Sequence, residues 1–182
     1  MKNEINSIAD KLVKAYNTNT VINPIPVKYC KNINLANKLR KLCEDQIKDE
    51  TIGIKAGGTG IQALKKLKEK EPFTAKVFKK RLVKSGQKVK INQHTKGIEV
   101  EVYYFIKKSF FDYKGKVTKS NVTKFIKFMG PCFEIVGFRQ RNKKFTYLGD
   151  ICGDFGFNIK FVVGRKTKFK KLNLNNLKTS LV

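Results

Sequence analysis

The sequence predicts an α+β fold in which N-terminal helices precede a β-rich half. Three observations carry this expectation. Apolar residues recur at helical spacing in residues 4–16 and again after Asn34. From residue 72 the texture changes to short apolar runs that suit strands. With 182 residues and 41% hydrophobic content, the chain can bury one real core. It divides into an N-terminal helical segment, 1–71, and a β-rich segment, 72–182, within one structural unit.

Ile5, Ile8, Leu12 and Ala15 give the first helix its apolar face. Asn23-Pro24-Ile25-Pro26 forces an extended connector, because each proline also restricts the residue before it. Asn34 is the expected N-cap of a second helix whose stripe is Leu35, Leu39, Leu42 and Ile47. Thr51–Ala56 reads as a short strand, Gly57-Gly58-Thr59-Gly60 as a tight loop, and Ile61–Lys70 as a third helix. In the second half, strands are expected near Lys88–Asn92, Gly97–Lys107, Cys132–Phe138 and Asn158–Gly164. A helix over Lys119–Met129, capped by Thr118, is expected between them. The tail, with alternating Leu172, Leu174 and Leu177, reads as an element that lacks its partner.

Composition narrows the function. The formal charge is +26, from 40 Lys and Arg against 14 Asp and Glu. Only five of the 40 are arginines (Arg40, Arg81, Arg139, Arg141, Arg165). Nucleic-acid readers favour Arg, whose planar fork pairs with phosphate and guanine, so the Lys excess reads as compositional background first and a polyanion footprint second. No apolar run approaches the ~18–20 residues of a membrane span, and Met1–Asp10 has no apolar block, so a cytoplasmic protein is expected. The four cysteines form no C-x-x-C pair, and with a single His a zinc site is disfavoured; buried, reduced thiols are expected. His94 sits in a polar stretch with no nucleophile signature nearby.

The scarce acids are more informative. Residues 72–182 carry 26 bases but six acids: Glu99, Glu101, Asp112, Glu134, Asp150 and Asp154. In Ile98-Glu99-Val100-Glu101-Val102, strand alternation puts both glutamates on one face, roughly 7 Å apart. Glu134 is likewise alone in an apolar run, Pro131–Val136. A carboxylate in such a run needs a cation: an abundant Lys, or a divalent metal held by oxygen ligands. Lys55 ends a strand before a glycine loop that permits close backbone approach. Gly58-Thr59-Gly60-Ile61-Gln62-Ala63 also fits the dinucleotide pattern G-x-G-x-x-A. No acid follows about 20 residues on, and no βαβ unit follows, so nucleotide binding is disfavoured.

Taken in order, these segments resemble the fumarylacetoacetate hydrolase superfamily, in its branch of 2-keto-4-pentenoate hydratases and related 2-oxo-acid decarboxylases. Gly53-Ile54-Lys55-Ala56-Gly57-Gly58-Thr59 is similar to the family's G-x-K-x-G-x-T segment. Ile98–Val102 and Phe133-Glu134-Ile135-Val136-Gly137-Phe138-Arg139 resemble its E-x-E strand and its E-I-V-D-S-R. Gly153-Asp154 and Phe161-Val162-Val163-Gly164 resemble its A-D-N and V-L-G.

The resemblance implies a mixed β-roll, incomplete at its C-terminus, and a Mg²⁺ or Mn²⁺ ion held by Glu99, Glu101 and Glu134. It implies catalytic roles for Lys55, Thr59 and Asp154, and places Gly57 and Arg139 against a short 2-oxo acid or 2-hydroxy-dienoate. Gly137, Phe138, Phe155 and Phe157 depart from the family's polar positions, which leaves turnover an open expectation. A homo-oligomer or a complementing C-terminal fragment is the expected partner. The competing function is a basic module that binds nucleic acid or another polyanion.

Overall fold

The computed structural model describes residues 2–91 and 94–170. Three helices lead: α1 (Lys2–Thr18), α2 (Lys28–Lys31) and α3 (Ile33–Gln46). Strand β1 (Thr51–Gly57), helix α4 (Ile61–Lys66) and strand β2 (Phe73–Phe78) follow. Next come β3 (Leu82–Lys84), β4 (Thr95–Ile106), β5 (Ile126–Gly137), α5 (Leu148–Cys152), β6 (Asn158–Val163) and β7 (Thr167–Lys168). This is the α+β arrangement expected from the sequence. The expected 71/72 division falls inside the connection between β1 and β2, which pair antiparallel.

Helix α1 buries the expected stripe of Ile5, Ile8, Leu12 and Ala15, and Asn19 leaves it in the left-handed region (φ 54°). The cap of α3 is Asn32, not Asn34. Its side-chain oxygen accepts from the backbone N–H groups of Asn34 and Leu35 at 3.0 and 3.2 Å. Asn34 lies inside the first turn, where its own amide is one of the donors that need capping. Arg40 and Glu44 form a buried i,i+4 pair at 2.7 Å, and Glu44 also accepts the Lys76 amide, fastening α3 to β2.

The larger sheet has the order β3-β6-β5-β4, with β7 beside β5. β3 runs parallel to β6, and the other pairs are antiparallel. The helix expected over Lys119–Met129 is absent: a 3-10 turn spans Val122–Phe125 and β5 begins at Ile126. The twelve-residue β4 needs a partner of its own length, and it pairs from Thr95↔Gly137 to Ile106↔Ile126. Tertiary pairing overrides local helical spacing here. Thr118 closes a turn instead, its hydroxyl accepting the Asn121 amide. No strand forms over 88–91, and residue 92 lies outside the described residues. Helix α4 stops at Lys66, four residues short of Lys70, and Lys68 adopts φ 57°. The Leu172, Leu174 and Leu177 tail also lies outside the described residues.

One apolar cluster joins α1, α2 and α3 to Phe78 and Phe155; a second joins Ala36, Leu64, Phe73, Ala75, Leu148 and Cys152. All four cysteines are buried and free, as expected. By contrast, Ile98, Val100 and Phe133 are exposed by 53%, 41% and 41%, so one face of the β4–β5 pair is apolar and uncovered. No described helix is long and apolar enough to cross a membrane.

The entry to α5 is held by Asp150. Its Oδ2 accepts the amides of Thr146 and Tyr147 at 2.8 and 2.7 Å, and its Oδ1 lies 2.7 Å from Lys143 Nζ. Burial pushes this carboxyl up, but the Lys143 ammonium and the two amides together hold it below its ordinary 3.8. A lowered native value contributes stability that is present above pH 3.8 and lost as pH falls through the native value. Asp150→Asn is therefore expected to flatten the acid limb of urea-unfolding midpoints recorded between about pH 5 and pH 2. An unchanged limb refutes the assignment.

Candidate metal centre

Antiparallel pairing places Glu99 of β4 directly opposite Glu134 of β5. Because side chains alternate, Glu101 leaves the same face two residues on, opposite Cys132. The result is a cluster of three carboxylates whose nearest oxygens all lie within 4.8 Å of one another. Glu99 and Glu101 are exposed, and Glu134 is 2% exposed. Thus the three lone acids picked out in the sequence do converge.

Lys55, within β1 and opposite Ala75 of β2, closes the cluster. Its Nζ donates to both Glu134 oxygens at 2.6 and 2.7 Å and to the Gly156 carbonyl at 2.9 Å. Both side chains are buried, at 9% and 2% exposure. Burial pushes the Glu134 carboxyl above its ordinary value, while the Lys55 ammonium and the Asn158 amide pull the other way. Burial and the neighbouring Glu99 push Glu101 up, with Lys55 again opposing. Three carboxylates thus meet one ammonium among the described residues. The imbalance of two negative charges is what a divalent cation offsets, and an all-oxygen donor set suits a hard one. The adjacent Cys132 thiol, pushed up to about 11 by burial and then by Glu134 and Glu101, stays protonated and outside that set.

Other expected site residues are placed differently. A Cβ at Gly57 would lie 2.4 Å from the buried Phe73 ring. Glycine is required by that ring. Thr59 is exposed in the loop before α4. Asp154 and Arg139, which the resemblance assigns to catalysis and substrate, are paired with each other at 3.1 Å, at 0% and 4% exposure. Asp154 also accepts the backbone amide of Arg139 and the Gln140 side chain. The Arg139 guanidinium stacks on Tyr16 and Phe155. These contacts engage both side chains in the interior of the protein.

Among the described residues, Asn158, which the sequence reading missed, links the pair to the carboxylates. Arg139 Nη2 donates to the Asn158 carbonyl, and Asn158 Nδ2 donates to Glu134 Oε1 at 3.2 Å. The signal was available: Asn158 opens an apolar strand, as anomalous there as the glutamates are in theirs.

No family model matches the chain, and no curated protein matches it. Two solved structures of 4-oxalocrotonate decarboxylase from Pseudomonas putida G7 do. One, complexed with magnesium and adipate, superposes with a TM-score of 0.70 at 15% sequence identity over 92% of this chain. The other, complexed with calcium and acetate, gives 0.73 at 16% over 92%. The chain shares the fold of 4-oxalocrotonate decarboxylase. It spans 65% and 64% of the length of those two decarboxylase chains. The α+β architecture expected from the resemblance is therefore the one observed.

Proposed function

We propose that this chain is a metal-dependent lyase acting on a short 2-oxo acid or its 2-hydroxy-dienoate form, with Mg²⁺ or Mn²⁺ held by Glu99, Glu101 and Glu134. The observation that carries the proposal is the convergence of three carboxylates on one ammonium, short by two positive charges. The magnesium and calcium of the two decarboxylase structures, and their organic acids, support the same reading. When bound, the cation supplies Lewis-acid polarisation of the 2-oxo group.

This chain's own residues do the rest. Glu134 orients Lys55 through two hydrogen bonds, and the Gly156 carbonyl takes a third. The ammonium is thereby fixed at the cluster, where it attracts an anionic substrate and holds a proton at Nζ. Asn158 keeps Glu134 in place from the other side. The uncovered face of Ile98, Val100 and Phe133 supports a further part of the proposal, a second copy of the chain or a complementing fragment as partner.

The test is calorimetry with Mn²⁺ and Mg²⁺, followed by assays on 2-hydroxypenta-2,4-dienoate for hydration and on a 2-oxo dicarboxylic acid for CO₂ release. Light scattering on the same sample reports the oligomer. Metal binding and one of the two activities are expected in the wild type and lost in Glu101→Gln. Identical behaviour of the two proteins, with no metal bound, would overturn the proposal.

A further inference from the structure

On the opposite face of the large sheet lies a second polar feature. Phe161 pairs with Glu134, so Lys160, one residue earlier, leaves the other side of the sheet from the glutamates. There it lines a cleft of about 410 Å³ between the start of β6, strand β3 and the segment that follows it. Four cations surround this cleft: Arg81, Lys88, Lys90 and Lys160. No Asp or Glu is among the described residues that line it.

Two of these cations are held rather than free to spread into solvent. Arg81 stacks on the Tyr16 ring at 3.6 Å and donates Nη2 to the Tyr16 carbonyl at 2.6 Å, while its Nε is buried without a hydrogen-bond partner. Lys160 Nζ is tethered to the Lys80 carbonyl at 3.0 Å. Neither forms an ion pair with a carboxylate among the described residues. Burial and the neighbouring Arg81 push the Lys160 ammonium below its ordinary value. Like charges held this way repel, and an anion between them removes the repulsion. The remaining wall combines apolar Val83, Val89 and Ile159 with polar Asn19, Gln87 and Thr95.

We propose that this cleft binds a small organic phosphate monoester, its head group between Arg81 and Lys160 and its organic body against Val83, Val89 and Ile159. A monoester brings about 1.5–2 negative charges on one head group, whereas a carboxylate brings one. A water occupies about 30 Å³ of liquid, so the cleft exceeds the needs of a bare oxyanion and lies within the usual size of small-ligand sites. Its volume suits a small ligand, and an oligonucleotide among the probes below tests the polymer.

The experiment is calorimetry on the full chain at about 0.15 M salt, with glycerol 3-phosphate, inorganic phosphate, succinate and a short single-stranded oligonucleotide as probes. Saturable one-site binding is expected, tighter for glycerol 3-phosphate than for succinate. Lys160→Gln should weaken it about tenfold, the loss of one charge-assisted contact. The exposed double variant Lys88→Gln/Lys90→Gln, which removes no described packing, should weaken it several-fold. Lys144→Gln, exposed and outside the lining of the cleft, should not. The proposal is overturned by absence of saturable binding, by equal weakening in Lys144→Gln, or by oligonucleotide binding that glycerol 3-phosphate fails to displace.

Discussion

Asp154→Ala is expected to lower folding stability by about 4 kcal/mol. The substitution removes a carboxylate at 0% exposure that accepts from the Arg139 amide, the Arg139 guanidinium and the Gln140 side chain. Arg139 then remains buried and charged, because a guanidinium cannot shed its proton in the accessible pH range. Asp154→Asn keeps an acceptor oxygen and should lose less. Urea unfolding followed by circular dichroism measures both. A loss under about 1 kcal/mol in Asp154→Ala would refute the structural role. If Asp154 instead acted on a substrate, Asp154→Asn would abolish turnover while the unfolding midpoint stayed at the wild-type value.

Lys55→Met is expected to cost about 3 kcal/mol, because it strands the Glu134 carboxylate at 2% exposure with only the Asn158 amide beside it. Glu134→Gln added to it should recover most of that loss, since no unpaired buried charge is left. The metal proposal adds a signature that burial alone does not. In Lys55→Met a divalent cation becomes the remaining positive partner of Glu134, so saturating Mn²⁺ should raise the unfolding midpoint more in the variant than in the wild type. Equal shifts in both proteins, or none, would separate Lys55 from the metal site.

Much of this architecture was legible in the sequence because its signals are local. The stripe Ile5, Ile8, Leu12 specified α1, and alternation in 98–102 specified the glutamate face. Glu99, Glu101 and Glu134 stood out because a carboxylate in an apolar strand always needs an explanation. What was not legible depended on distant partners. Residues 119–129 carry helical spacing, yet Phe128 is claimed by Phe105 across the strand pair, with ring centroids 6.3 Å apart. Arg139 and Asp154 look like site residues in a linear motif. Only the packing of Tyr16 and Phe155 around them shows that they are interior. Likewise the need for glycine at position 57 shows only once the Phe73 ring is seen against it.

The segment between Asp154 and Asn158 has a consequence for how the molecule comes apart. Phe155, Gly156 and Phe157 follow one another at φ 52°, 66° and 71°, a left-handed turn that costs the two phenylalanines about 1–2 kcal/mol each. The cost is met by ring packing: Phe155 lies 4.4 Å from Tyr16 of the first helix, and Phe157 lies 4.6 Å from Phe138. The same turn presents its middle carbonyl to Lys55, while its two flanks anchor Arg139 and Glu134. Five residues therefore act as a rivet through helices, hairpin and sheet at once. The Phe155–Tyr16 packing and the Lys55 contact cannot loosen without straining that rivet, so the elements it joins are expected to unfold together.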